Sequence, residues 1–208
     1  MKAVVTERDV PQSGDLTVAT GTIITPSARD LARLRGVKIV EIPPDQYRPA
    51  NPPEKVVAIG ADHGGFRMKE ALKPLLHELG LIAHDVGVHE EKTADYPDIA
   101  EKVGEAILNR AALRGVIIDG AGIGSAMAAN KIPGLRAALC YDKASARNSR
   151  EHNDSNVLTL GGRLLTQSQA EEVLRTWLST PFAGGRHSSR VEKISTIEQR
   201  YANWKPQN

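Results

Sequence analysis

From residue 54 onward, short and mostly apolar runs alternate with longer amphipathic stretches, and this rhythm leaves few folds open. The runs at 56–60, 82–86, 116–118, 136–141 and 157–160 read as strands with both faces covered. The stretches at 66–79, 98–110, 125–130, 144–151 and 167–178 read as helices. Strands buried on both sides with helices between them predict an α/β fold, a parallel sheet with helices on each face. In an open sheet of that kind ligands bind past the carboxyl ends of the strands, where the strand order reverses. Chemistry is therefore expected just after strands.

The first 53 residues are expected to form a separate extension. Thr25-Pro26 has the form of a helix cap followed by proline at the first helical position, 27–35 reads as a helix stopped by Gly36, and 37–42 reads as a strand. A proline-rich segment, Tyr47 to Pro53, marks the boundary with the larger domain, 54–208. The chain has 208 residues, enough to bury a real core. A net charge of +2 gives no reason to expect nucleic acid or a membrane surface as partner. The single cysteine, Cys140, excludes an internal disulfide and fits a reducing, cytoplasmic setting. No apolar run approaches membrane-spanning length. A lone cysteine also excludes a Cys-based metal site.

The most informative segment is Val116 to Ser125, where an apolar strand ends in Asp119-Gly120-Ala121-Gly122-Ile123-Gly124 and then a helix. Alternating glycines at a helix start let backbone N–H groups converge on an anion. A carboxylate at that mouth competes with such a ligand, which makes sense if Asp119 is a base and the N–H groups stabilise the oxyanion that it creates. Asp62-His63 precedes Gly64-Gly65 after another strand; a helix cap and a surface turn are the plain readings, and phosphate or sugar-hydroxyl binding is the sharper one. Tyr96 lies in the turn Asp95-Tyr96-Pro97-Asp98, and Tyr before Pro is commonly only packing. His152-Asn153 closes a helix and could supply a proton donor and a hydroxyl binder. Arg163 follows Gly161-Gly162, and Arg186 and Arg190 follow Gly184-Gly185; four residues apart, the last two would share a helix face and clamp a phosphate.

Taken in order, Gly60-Ala61-Asp62-His63-Gly64-Gly65, Asp95-Tyr96-Pro97-Asp98, Gly120 to Gly124, Ala129-Asn130-Lys131-Ile132-Pro133-Gly134, Ser149-Arg150-Glu151-His152-Asn153 and Gly184-Gly185-Arg186-His187 closely resemble the type B ribose-5-phosphate isomerases, a family that includes the galactose-6-phosphate isomerase subunits. The resemblance spans about residues 55–195. It implies a Rossmann-like three-layer αβα fold, aldose–ketose isomerisation of a sugar phosphate without a metal, and a homodimer or dimer of dimers whose active sites are shared across the interface. It further implies that Asp62 and His63 contact sugar and phosphate, that Tyr96 lines the pocket, that His152 opens the furanose ring and that Asn153 binds a hydroxyl. By the same resemblance, Gly120, Ala121, Gly122, Ile123 and Gly124 hold the enediolate, and Arg163, Arg186 and Arg190 bind phosphate. The first 50 residues weakly resemble short α/β segments attached to enzymes of bacterial microcompartments.

Many members carry Cys-Gly-Thr-Gly at the turn, with the thiol as base; here the sequence is Asp119-Gly120-Ala121-Gly122. Cys140 lies inside a strand and cannot stand in for that thiol. Asp119 is thus the expected base, and loss of the hydroxyl at Ala121 points to a sugar other than ribose 5-phosphate. Two rival readings stand beside this one. The first is a member that binds sugar phosphate without catalysis. The second is an NAD(P)-binding oxidoreductase, which the G-x-G-x-G spacing fits poorly because Ser125 occupies the third small-residue position.

Overall fold

A computed structural model describes residues 4–43 and 55–202. The chain forms two compact units, residues 1–51 and 52–208. The proline-rich boundary segment, Tyr47 to Pro53, lies outside the described residues.

In the smaller unit, β1 (Val4–Val5) pairs in parallel with β3 (Ile23–Ile24), and β2 (Asp15–Ala19) pairs in parallel with β4 (Lys38–Ile42). Between β3 and β4 runs α1 (Pro26–Leu34), where the Thr25 hydroxyl accepts the Ala28 N–H at 3.3 Å and proline occupies the first turn. Leu16, Val18, Ala28 and Ala32 make up part of its small core.

The larger unit alternates strand and helix: β5 (Val56–Ala61), α2 (Phe66–Glu78), β6 (Ile82–Gly87), α3 (Tyr96–Leu108), β7 (Arg114–Asp119), α4 (Ile123–Ala129), β8 (Ala137–Leu139), α5 (Lys143–Glu151), β9 (Val157–Gly161) and α6 (Gln167–Ser179). A 3-10 turn (Gly185–His187) and α7 (Ser188–Tyr201) complete it. The five strands form one parallel sheet in the order β6-β5-β7-β9-β8. Side chains alternate across it. Val57, Ile59, Val116, Ile118, Leu158 and Leu160 pack in one cluster with α2, α5 and α6, while Ala58, Ile117 and Val157 face α3 and α4 in the other. Two covered faces explain the unbroken apolar strands. The architecture is the Rossmann-like three-layer α/β sandwich.

From β5 the chain steps outward to β6, then returns to β7 on the other side of β5. The reversal opens a crevice beyond the carboxyl ends of β5 and β7, the residues of which lead into Asp62 and end at Asp119.

Candidate functional site

Three turns meet at this crevice: 61–65 after β5, 119–122 after β7 and 161–166 after β9. Asp62 donates its N–H to the Ile118 carbonyl at 3.2 Å, Gly162 donates to that of Asp119 at 2.8 Å, and Arg163 to that of Gly120 at 3.0 Å. Glycine makes the approach possible. A Cβ on Gly65 would stand 2.1 Å from the Ile118 carbonyl oxygen. Asp62 is buried, and its Oδ1 accepts the N–H groups of Gly64 at 2.7 Å and Gly65 at 3.0 Å. Its carboxylate therefore organises the turn, as the cap reading has it. His63 is exposed, with Nδ1 at 3.4 Å from the Ala94 carbonyl oxygen.

Asp119 is 3% exposed and takes four hydrogen bonds. Oδ1 accepts the Ala121 N–H at 2.7 Å and the Gly122 N–H; Oδ2 accepts the Ser125 N–H at 2.9 Å and the Ser125 hydroxyl at 2.5 Å. Gly122, at φ +80°, turns the backbone so that these donors converge. This corrects one expectation. The amides expected to face a ligand are occupied by the chain's own carboxylate. Burial alone would push the Asp119 carboxyl upward, but the Ser125 hydroxyl and the N–H groups of Gly122, Ser125 and Ala121 outweigh it and hold the group below the usual carboxylate value.

Around this centre, the Tyr141 hydroxyl donates to the Ala121 carbonyl at 2.8 Å. The Tyr96 ring lies against Gly124, where a Cβ would meet ring carbon at 2.6 Å. Arg163 passes beside Gly120, its Cδ 3.6 Å from where a Cβ would stand, and is exposed. Ile123 opens α4 and is partly exposed.

His152, Asn153, Arg186 and Arg190 are elsewhere. α5 leaves the carboxyl end of β8 and carries the chain back to the amino end of β9, so His152 and Asn153 sit at the opposite edge of the sheet from Asp119. The Asn153 carbonyl accepts from the side chain of Arg136, the residue immediately before β8, at 3.2 Å. With about 3.3 Å of rise per strand residue, the two edges are on the order of 15 Å apart. The candidate residues thus form two groups within one chain. Arg186 and Arg190 also do not share one helix: Arg186 is in the 3-10 turn and Arg190 in α7.

At this second edge the rings of His152 and His187 stack with centroids 4.2 Å apart and planes 9° from parallel. Burial lowers the His187 pKa, and the neighbouring His152, Arg186 and Arg190 lower it further. Beside the cluster runs a groove of about 700 Å³, lined by Lys131, Leu135, Asn153, Ile194, Ile197 and Tyr201. Among the described residues no group of His, Cys, Asp and Glu is arranged to hold a metal ion, and no helix is long and apolar enough to cross a membrane.

Residues 57–194 match the family model described as Ribose/Galactose Isomerase. The chain belongs to the ribose/galactose isomerase family. It is 40% identical over 146 residues to ribose-5-phosphate isomerase B of Escherichia coli, covering 70% of this chain and 98% of that protein. It is 36% identical over 143 residues to the D-erythrulose-4-phosphate isomerase of Pectobacterium atrosepticum, covering 68% of this chain and 94% of that one. The solved Clostridium thermocellum ribose-5-phosphate isomerase B superposes with a TM-score of 0.69 at 44% identity, over 70% of this chain and 99% of that one. Within this family of sugar-phosphate isomerases, the sequence motifs single out the turn residues well. They assign no role in the site to four neighbours that the structure brings to the two groups, Ser125, Tyr141, Asn148 and His187, although Ser125 and His187 fall within the quoted segments. A hydroxyl at a helix start, an aromatic just after a strand and an amide one helical turn before a histidine are weak signals on their own.

Proposed function

We propose that this family member interconverts the aldose and ketose forms of a short phosphorylated sugar through an enediolate, with Asp119 moving the proton between the two reacting carbons. The observation that carries this reading is the seat of the Asp119 carboxylate. It occupies the amides suited to an enediolate oxygen, at the switch point of the sheet. When a substrate oxygen takes the N–H groups of Ala121 and Gly122, Oδ1 loses its donors while Oδ2 stays on Ser125. A buried carboxylate oxygen stripped of donors becomes a stronger base, and it stands beside the carbon that must lose its proton. It removes that proton from C2 as the electron pair shifts onto the C1 carbonyl oxygen; the C2 hydroxyl proton passes to that oxygen, and the proton held on Asp119 is delivered to C1 as the C2 carbonyl forms.

Each site is completed by a second copy in this reading. One copy supplies Asp62, His63, Tyr96, Asp119, residues 120–124 and Arg163; the other supplies His152, Asn153, Arg186 and Arg190, with the arginines on the phosphate. The distance between the two groups within one chain supports this, because no single copy brings Asp119 and His152 together. So does α7, which buries none of its residues and leaves Ile194, Ile197 and Tyr201 exposed. The methyl of Ala121 beside the centre offers no hydroxyl partner to the substrate, which favours a sugar that differs from ribose 5-phosphate in length or stereochemistry.

The test is a panel of four-, five- and six-carbon aldose phosphates, followed for ketose formation and for exchange of the C2 proton with solvent. Conversion and exchange on one of them are expected. Binding with neither on any of them would mean a sugar-phosphate binder and overturn the proposal.

A further inference from the structure

His152 is held from two sides. Asn148, one turn earlier on α5, brings its side-chain amide nitrogen within 2.9 Å of Nδ1, and the His187 ring covers one face. An amide nitrogen only donates, so Nδ1 accepts, and a neutral imidazole that accepts at Nδ1 carries its proton on Nε2. His187 is held by the same logic at its other nitrogen. The Arg186 Nε–H points at His187 Nε2 at 3.5 Å, which leaves that ring's proton on Nδ1.

Asn148 has no packing role that would account for it. It is exposed, and among the described residues its side chain makes no other hydrogen bond. Asparagine is also a poorer helix former than leucine or alanine at such a position. What its side chain does contact is His152 Nδ1; the bond from the His152 N–H to the Asn148 main-chain carbonyl, at 3.0 Å, is the ordinary helical one that any residue there would accept.

We infer that Asn148 is a positioning residue for His152. By donating to Nδ1 it fixes the tautomer, and with His187 behind the ring it presents Nε2–H as a hydrogen-bond donor to a sugar oxygen. This rests on the isomerase reading only for the identity of that oxygen, the ring oxygen of a closed sugar. The tautomer itself does not depend on it.

The experiment compares the full-length protein with Asn148→Leu and Asn148→Asp, reading the histidine tautomers by nitrogen-detected NMR on labelled protein. Wild type is expected to show His152 protonated on Nε2. A carboxylate can only accept, so Asn148→Asp moves the proton to Nδ1, and Asn148→Leu gives a mixture. The kinetic arm uses ribose 5-phosphate, which closes to a furanose, and erythrose 4-phosphate, whose phosphorylated terminal oxygen leaves no hydroxyl to close such a ring. Asn148→Leu should cost about three- to tenfold in kcat on the closed sugar, the scale of one neutral hydrogen bond, and nothing on the open one. A wild-type spectrum with the proton on Nδ1, or a tautomer unmoved in both variants, overturns the inference. So does an equal loss on the two sugars. If the wild type turns over neither sugar, the isomerase reading fails for these substrates and the spectrum alone decides the role of Asn148.

Discussion

Ser125 grips one oxygen of Asp119 with two donors, its hydroxyl at 2.5 Å and its N–H at 2.9 Å, and leaves the other oxygen to the turn amides. The carboxylate is therefore asymmetric in what holds it. Ser125 is wholly buried and out of reach of a ligand, whereas Ala121 lies at the mouth of the turn. Oδ2 is the anchor and Oδ1 the oxygen that can be released.

Removal of the anchor should be visible in acid. The folded pKa of Asp119 is depressed, so the stability it contributes is present above the unfolded value of about 3.9 and is lost as the pH falls through the folded one. In Ser125→Ala the carboxyl loses its hydroxyl donor and its pKa rises toward the ordinary value. The variant should therefore be less stable than wild type near neutrality and unfold at higher pH during acid titration, with the difference between the two shrinking as the carboxyl becomes protonated in both. Circular dichroism across that range, read against Asp119→Ala, checks it. Coincident acid limbs for Ser125→Ala and wild type would mean that the hydroxyl does not set this pKa.

Asp119→Asn should retain the fold and lose turnover by about 10² to 10⁴, the usual contribution of a positioned base. An amide turned toward four donors is also a poor fit, so a lower melting temperature should accompany the loss. Turnover equal to wild type would remove Asp119 from the chemistry.

Cys140 should be inert. It is 1% exposed, burial raises its thiol above the ordinary value, and its sulfur faces the Ser149 hydroxyl at 3.9 Å. Iodoacetamide applied to the native protein should leave both mass and activity unchanged, and modification should appear only after unfolding. Rapid native labelling with loss of activity would contradict this placement.

A buried lysine ties α2 to the end of β6. Lys69 Nζ contacts both Asp85 oxygens at 2.7 and 2.8 Å and the Val88 carbonyl at 2.6 Å, and its side chain is wholly enclosed. Burial pushes the Asp85 carboxyl up, but Lys69 and Lys73 together hold it below its usual value. Lys69→Met should destabilise the protein by about 2 kcal/mol, because it takes one of two lysines from a partly buried carboxylate and leaves it Lys73 and the Gly87 N–H, and adding Asp85→Asn should restore part of that. Urea unfolding of the two single variants and the double variant measures the coupling.

Much of this was legible in the sequence because glycine punctuates the strand ends. Asp62 and Asp119 could be placed just past strands, and the structure puts both at the switch point. The turn read at Asp95-Tyr96-Pro97 is instead a helix start, since proline in a first turn loses no hydrogen bond; α3 begins at Tyr96 with Asp95 as its cap. α7 escaped notice for a different reason. Its apolar residues Val191, Ile194, Ile197 and Tyr201 recur at helical spacing, but none is buried within its own chain, so the stripe answers to no core there. The separation of His152 from Asp119 follows from helix direction, which motif order does not record: α5 returns the chain to the far edge of the sheet before His152 is reached.

That separation gives the sharpest test of a shared site. Asp119→Asn and His152→Asn should each be inactive alone, since each removes one half of every site. In a mixed dimer one site carries both lesions and the other carries neither, provided Asp119 of one copy works with His152 of the next. Mixing the two variants under conditions that allow subunit exchange should therefore restore activity, and light scattering should show the same dimer throughout. Ile197→Glu, on the exposed face of α7, should weaken that dimer and prevent the recovery. Inactive mixtures of well-formed mixed dimers would mean that Asp119 and His152 do not act in one site across the interface.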